Sequence, residues 1–397
     1  MDGTVLGQSP ETDLLPGLNV TNPLKNNAND SQPYNLQLGP VTLRAEASSS
    51  VSYNDNINLA RTGRQNDCII TPSLNIHGLW QATELNALTF DLGISYQHYF
   101  SHSIYDAFQL SPDSQTQFNI FIGDFKINLH EKFSYQSDPL QVAQLSNIAQ
   151  FDRFLNDAGI AVDWDVGDIT ISLGYDHDNF WVFEPAYSYL TYQSDVVSPQ
   201  ISFALSKTIQ TGLQASFADT KYNQNIQNNY TEFQVGPFLT AQLSENLSVN
   251  ARLGWDYANF AQGGLNGDKQ GIDSFYCSTA INHRVNDVLT ESLTAGREFI
   301  PGITSNYTQR IYAKYMPSWH ATSLFDIDPQ FWWENLDDSN ATFHEISNRF
   351  GAGLDISFAL TEHSTVNLNY QYVIKNSDQS ALDYYQNSIT AGFNYHF

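Results

Sequence analysis

The ten histidines are the residues whose type most invites chemistry, because imidazole titrates nearest neutral pH and is the commonest metal ligand. The triplet Asp176-His177-Asp178 has the composition of a hydrolytic site in which a His takes a proton from water. Consecutive strand residues point to opposite faces, however, so the three side chains do not converge on one substrate. No His-Glu-x-x-His or Cys-x-x-Cys spacing occurs, nor any Gly-x-Ser-x-Gly elbow or phosphate-cradling glycine loop. Gly263-Gly264 reads as a turn. His98, His102, His130 and His396 read as hydrogen-bonders rather than ligands. The expectation is a protein with no catalytic residue, no cofactor and no metal.

The elements that would position these side chains are strands. Residues 1–37 are rich in Pro, Asn, Gly, Asp and Ser without periodicity and read as a polar tail or linker, leaving 38–397 as the folded unit. From Gly39 onward apolar and polar residues alternate: Val41, Leu43, Ala45 and Ala47 against Thr42, Arg44, Glu46 and Ser48. The connections alternate as well. Short turns recur near 82–85, 123–124, 166–167, 206–208, 244–246, 285–287, 320–323 and 361–364, and between them lie mostly longer ones near 54–67, 100–114, 136–156, 179–198, 220–230, 260–271, 335–344 and 375–384, with a short one at 301–304. Short turns at one end and longer loops at the other are the signature of a transmembrane antiparallel β-barrel. About 18 strands result, or 16 if residues 115–135 form one strand. The apolar parity shifts across Gly123-Asp124, from Phe118, Ile120 and Ile122 to Phe125, Ile127 and Leu129, as a two-residue hairpin requires. The fold class is therefore all-β, an up-and-down barrel.

Composition agrees. Charged residues are 15% of the chain and aromatics 14%, with 22 Tyr and 25 Phe, so polarity is carried by neutral side chains. No run approaches the roughly 18 apolar residues of a membrane helix, which leaves a strand-built membrane protein open. A net charge of −25 speaks against a nucleic-acid partner. Cys68 and Cys277, about ten strands apart, are expected to be free thiols. No basic n-region with an apolar stretch is visible at Met1-Asp2-Gly3; an exported barrel would have lost its signal peptide. Rings near strand ends, at Trp80, Trp164, Trp255, Trp319, Trp332, Trp333, Tyr370 and Tyr372, suggest aromatic girdles.

With the apolar parity outward, the inward charges and pore-lining candidates are Arg44, Glu46, Asp91, Lys126, Lys132, Asp163, Asp176, Glu232, Arg252, Asp256, Arg310, Lys314, Asp326, Asp328, Arg349 and Asp355, seven basic and nine acidic. The excess of acid lies elsewhere, in the longer loops and adjacent strand ends, at Asp55, Asp67, Asp106, Asp138, Asp268, Asp337 and Asp378 among others. An acidic mouth over a nearly balanced interior predicts a weak cation preference. The segment 288–299 resists this scheme: placing Leu289, Leu293 and Phe299 outward also turns Glu291 and Arg297 outward, so either the register flips there or the strand borders another protomer.

The chain closes on "TAGFNYHF" (390–397). Thr390, Gly392, Tyr395 and Phe397 fit the polar-x-Gly-x-x-apolar-x-apolar signal that bacterial outer-membrane barrels present to their assembly machinery. "LTFDLGISYQHYF" (88–100), "GDFKINLHEKFSYQSDP" (123–139), "VGDITISLGYDHDNF" (166–180) and "VNLNYQYV" (366–373) resemble the β-barrel porin family of Verrucomicrobia-type bacteria, over about residues 39–397. The resemblance implies a bacterial outer-membrane location, with membrane lipid and the barrel assembly machinery as partners, and brings no catalytic residues. Analogy with porins alone supports a homo-oligomer. The function expected is passive diffusion of small hydrophilic solutes or ions; the alternatives are an occluded barrel acting as a surface scaffold or export port, with 136–156, 179–198 or the tail filling the lumen, and an outer-membrane hydrolase.

Overall fold

The computed structural model describes residues 36–339 and 343–397, so the tail assigned to 1–37 falls outside the described residues except for its last two. The described residues build a closed antiparallel barrel of 18 strands. In chain order they are β1 (Val41–Asn54), β2 (Asp67–Gln81), β3 (Ala87–Tyr99), β4 (Ala107–Leu110 with Gln115–Ile122), β5 (Phe125–Gln136), β6 (Arg153–Val166), β7 (Ile169–Val182), β8 (Tyr192–Ser206) and β9 (Ile209–Tyr222). The second half comprises β10 (Tyr230–Ser244), β11 (Leu247–Phe260), β12 (Ile272–Arg284), β13 (Leu289–Pro301), β14 (Tyr307–Thr322), β15 (Phe325–Asp338), β16 (Ile346–Thr361), β17 (Ser364–Ser377) and β18 (Tyr384–His396). A short strand, Leu36–Leu38, folds back on the start of β1.

Each strand pairs with its sequence neighbours, and β18 returns to β1 with Glu46 opposite His396 and Asn54 opposite Ser388. Closure leaves no exposed edge, which a barrel in lipid requires. The hairpin at Gly123-Asp124 forms as its parity shift predicts: Ile122 pairs with Phe125, and Gly123 adopts the φ of +59° that a side chain would strain. The region 100–114 is shorter as a connection than its composition implies. Ala107–Leu110 already pairs with β3, and Ser111–Ser114 is a break in β4, held where Ser111 N donates to Gly93 O and Gly93 N donates to Ser114 Oγ. Residues 179–198 likewise shrink to the connection 183–191, because β7 runs to Val182 and β8 begins at Tyr192.

The outer face carries the apolar parity: Leu213 and Phe217, Leu253 and Trp255, Leu368 and Tyr370, Ile389 and Phe393 are all exposed there. Its rings include Trp80, Trp164, Trp255, Trp319 and Tyr370. Trp332 departs from the girdle. Its neighbour Trp333 shares the outer parity of Phe331 and donates to Asn348, so Trp332 must turn inward, where the Arg349 guanidinium lies 5.2 Å from its ring. At β13 no register shift occurs against either neighbour. Glu291 and Arg297 do face outward, and both are satisfied within the wall: Glu291 accepts from Tyr315 Oη at 2.8 Å, and Arg297 donates to Gln309 Oε1 and to the Phe275 carbonyl, between the rings of Phe275 and Phe299. Cys68 on β2 and Cys277 on β12 are free thiols.

Candidate functional site

The connection 137–152 between β5 and β6 does not stay at the rim. Its apolar residues Val142, Ala143, Leu145 and Phe151 are buried, at 4% exposure or less. Val142, Leu145 and Phe151 pack with Phe180, Val182, Leu190 and Tyr192 on the near side of the barrel. From there the segment reaches residues far away in sequence. Gln144 Nε2 donates to Pro301 O, Ser146 Oγ to Leu382 O and Asn147 Nδ2 to Ala381 O, while Asn147 N donates to Leu59 O. A loop inside a barrel must find partners for its own backbone groups, and here charged side chains around it supply several of them.

Three buried cations do so. Arg153, at the root of the segment, donates to the carbonyls of Asp138 and Phe151 and to the side-chain oxygens of Gln136 and Gln141. Arg349 on β16 donates to Leu140 O at 2.8 Å and to Glu334 at 2.6 Å. Lys375 on β17 is fully buried, pairs with Glu345 at 3.0 Å and donates to Gln144 O at 3.1 Å and Ser146 Oγ at 3.3 Å. Arg310 on β14 completes the far wall with ion pairs to Glu298 and Glu334, both at 3.2 Å. In the segment itself, burial pushes the Asp138 carboxyl up, opposed by the hydrogen bond from Leu140 N and by Arg153 and Arg349. The result is a constriction whose fixed charges are paired across strands rather than of one sign. On the short-turn side of it lies a cavity of about 470 Å³, lined among others by Asn282, Ser318, Asp328, Gln330, Asp355 and Asn369.

Every inward candidate from the sequence lies on the parity opposite the exposed apolar residues, from Arg44 and Glu46 on β1 to Arg349 and Asp355 on β16. They do not form one site. Arg310 and Arg349 stand at the constriction. Glu232 and Asp256 meet on the wall of β10 and β11, where Gln234 Nε2 donates to both carboxylates. Lys126 stands opposite Asp163, and Lys132 opposite Asp157. Asp91 pairs with His77, and Asp326 with His320, near the short-turn end. Asp176-His177-Asp178 splits through the wall: Asp176 meets His130 inside, at 2.9 Å, while His177 meets Asp195 outside, also at 2.9 Å. Sequence reasoning did not place Glu298, Glu334, Glu345, Lys375 and Arg153 inward: Glu298 lies on the strand that resisted assignment, Arg153 and Lys375 in segments read as loops, and Glu334 and Glu345 flank the loop read at 335–344, Glu345 being counted among the acids of the mouth.

Several of the loop acids are pegs. Asp67 accepts from the backbone N–H of Cys68 and Ser101 and pairs with His102. Asp268 accepts from Asn306 N and Ser339 Oγ. Asp106 accepts from Tyr99 N, and that bond, with the one to His98, holds its carboxyl below the usual range. Acceptors for backbone N–H groups are what turns without regular pairing lack, so these acids shape the mouth that they also charge.

No family model matches the chain, and no curated protein matches it either. Solved structures do. Over 89% of this chain and 98% of that one, it is similar to Pseudomonas aeruginosa OccK2 (OpdF), with a TM-score of 0.52 and 10% identity. A BenF-like porin from Pseudomonas fluorescens Pf-5 aligns over 89% and 99% with a TM-score of 0.51 and 9% identity, and Acinetobacter baumannii OccAB3 over 89% and 99% with a TM-score of 0.50 and 10% identity. In fold, the chain is an 18-stranded barrel like those of these porins.

Proposed function

We propose that the protein is a bacterial outer-membrane channel for passive diffusion of small hydrophilic solutes or ions, without cofactor or catalysis. The observation that carries this reading is the constriction: a barrel with an apolar exterior and a polar interior, narrowed by a segment that is pinned to the far wall by Arg349 and Lys375. The similar barrels support the solute class, since OccK2 is known in complex with glucuronate, with a TM-score of 0.52 to this chain. Selectivity follows from charge. At the constriction Arg310, Arg349 and Lys375 are balanced by Glu298, Glu334 and Glu345, so the acidic mouth decides and prefers cations weakly. The inward charges that the sequence singles out line the path in this reading. Thr390, Gly392, Tyr395 and Phe397 serve as the assembly signal, with lipid and the assembly machinery as partners. The narrower likeness to the Verrucomicrobia-type porins belongs to this proposal too.

One observation favours the occluded alternative: the segment 137–152 buries its apolar residues against one wall and bonds to the other. Conductance in planar bilayers separates the two. Steady single-channel current with a reversal potential in a KCl gradient of cation-selective sign is expected. An absence of steady current makes the barrel a scaffold or port, and a clear anion preference overturns the selectivity argument.

A further inference from the structure

The inner wall of β5, β6 and β7 carries a cluster to which the channel reading gives no ligand chemistry, although Asp176 is among its path-lining charges. His130, Asp157 and Asp176 come from these three strands, and their ligand atoms lie within 4.8 Å of one another. His130 Nε2 is 2.9 Å from Asp176 Oδ1 and 3.9 Å from Asp157 Oδ1, and each side chain is about a fifth exposed, so an ion in the lumen reaches all three. The imidazole crosses over Gly159, the residue directly between His130 and Asp176 in the sheet. A Cβ at Gly159 would overlap both Asp176 Oδ1 and His130 Nε2, so the meeting depends on glycine at that position.

The protonation of His130 is set from outside the cluster. Asn128 Nδ2 donates to Asn119 Oδ1 at 3.0 Å, which turns Asn128 Oδ1 toward His130 Nδ1 at 2.8 Å. An amide oxygen only accepts, so Nδ1 carries the proton and donates it. Metal-bound histidines characteristically donate their other ring nitrogen to an oxygen in this way. Nε2 then points a lone pair at a carboxylate oxygen at hydrogen-bond distance, an arrangement that needs either a second proton on the ring or a cation between the two. The three ligand atoms are close enough for one cation to take the Nε2 lone pair together with an oxygen from each carboxylate.

We propose that His130, Asp157 and Asp176 form a divalent-cation site of the zinc class on the inner wall, with its remaining coordination positions open to the lumen. One imidazole with two carboxylates suits zinc and its first-row neighbours rather than magnesium or calcium, which take oxygen ligands. Ligands bonded at about 2.1 Å stand roughly 3–3.5 Å apart, so closure on the ion takes a small rotation of Asp157. Asn128 is a positioning residue that fixes the tautomer. The sequence shows no ligand spacing here, because each ligand sits on a different strand.

The test uses the full chain in detergent, stripped with chelator, and does not depend on conductance. Titration with Co²⁺ near neutral pH should show one saturable site by visible absorption, with Zn²⁺ displacing the cobalt. His130→Gln should abolish binding, Asp157→Asn and Asp176→Asn should weaken it at least about tenfold, and Asn128→Ala by about 10- to 100-fold. His98→Gln, which breaks an outer His–Asp pair, should leave it intact. Binding only at millimolar concentrations, or binding that survives His130→Gln, overturns the proposal. If His130→Gln fails to assemble, NMR of the His130 ring in the unmodified protein decides: a ring that stays doubly protonated through neutral pH and ignores Zn²⁺ assigns the contact to an imidazolium and refutes the metal site.

Discussion

Replacing Lys375 with Met tests whether the segment 137–152 is the gate. The ammonium is fully buried, and two of its three partners, Gln144 O and Ser146 Oγ, belong to that segment. Hydrogen bonds to charged groups contribute about 1.5–3 kcal/mol each, so losing both weakens docking by roughly 3–6 kcal/mol. Every 1.4 kcal/mol is about tenfold in an equilibrium, so the undocked fraction should rise by about a hundredfold or more. Met restores the packing of the stem, and the barrel should still close. Arg349 and Arg153 still hold residues 138–141, while the part near 144–147 keeps its bonds to Pro301, Leu382, Ala381 and Leu59 and is the part that loosens. Single-channel recording should show larger or noisier open currents than the parent. Glu345→Gln is the control, because it removes the ion pair and keeps both bonds to the segment; its effect should be clearly smaller. Unchanged conductance and noise in Lys375→Met, in a barrel shown to be assembled, would refute the gating argument.

Other outcomes follow from the same contacts. Gly351→Ala places a Cβ against the Trp332 ring and should destabilise the barrel by about 1–3 kcal/mol, read as a lower temperature for loss of heat-modifiable gel migration. Deleting Phe397, whose N–H donates to Ala45 O at the closing seam, should reduce membrane assembly far more than it alters the conductance of the molecules that do assemble. The Asp106 carboxyl is held below its usual range by Tyr99 N–H and His98. The stability it contributes to the connection 100–106 is therefore present above the ordinary Asp pKa and is lost as pH falls through the depressed value. Protection of the Tyr99 amide in hydrogen exchange should drop there and nowhere nearer neutrality; flat protection across the acid range would contradict the assignment.

The barrel was legible because alternation is local. A strand places successive Cβ atoms on opposite faces, so Val41 through Ser48, or Ile389 through Phe397, announce their two faces without reference to any other strand. The hairpin at Gly123-Asp124 could be placed for the same reason, since a turn of two residues exchanges the parity. The same logic keeps Trp332 and Trp333 on opposite sides, although a girdle of rings read as one group obscured it. Charged residues on the outer parity of β13 looked like an error of register because the partners that satisfy them, Tyr315 and Gln309, lie on the next strand.

Composition and periodicity alone gave the class, a count of about 18 strands with 16 left open, the expectation of free cysteines and the inward parity of the charges. Tertiary structure alone decided what those charges meet. Lys375 touches Gln144, which is 231 residues away, and Arg349 touches Leu140, 209 residues away, because ring closure brings β16 and β17 within reach of a segment that leaves β5. His130 meets Asp176 over Gly159 because three strands lie in one register. Such contacts depend on which strands are neighbours or opposite one another in a closed ring, a property of the whole sheet that no window of sequence contains.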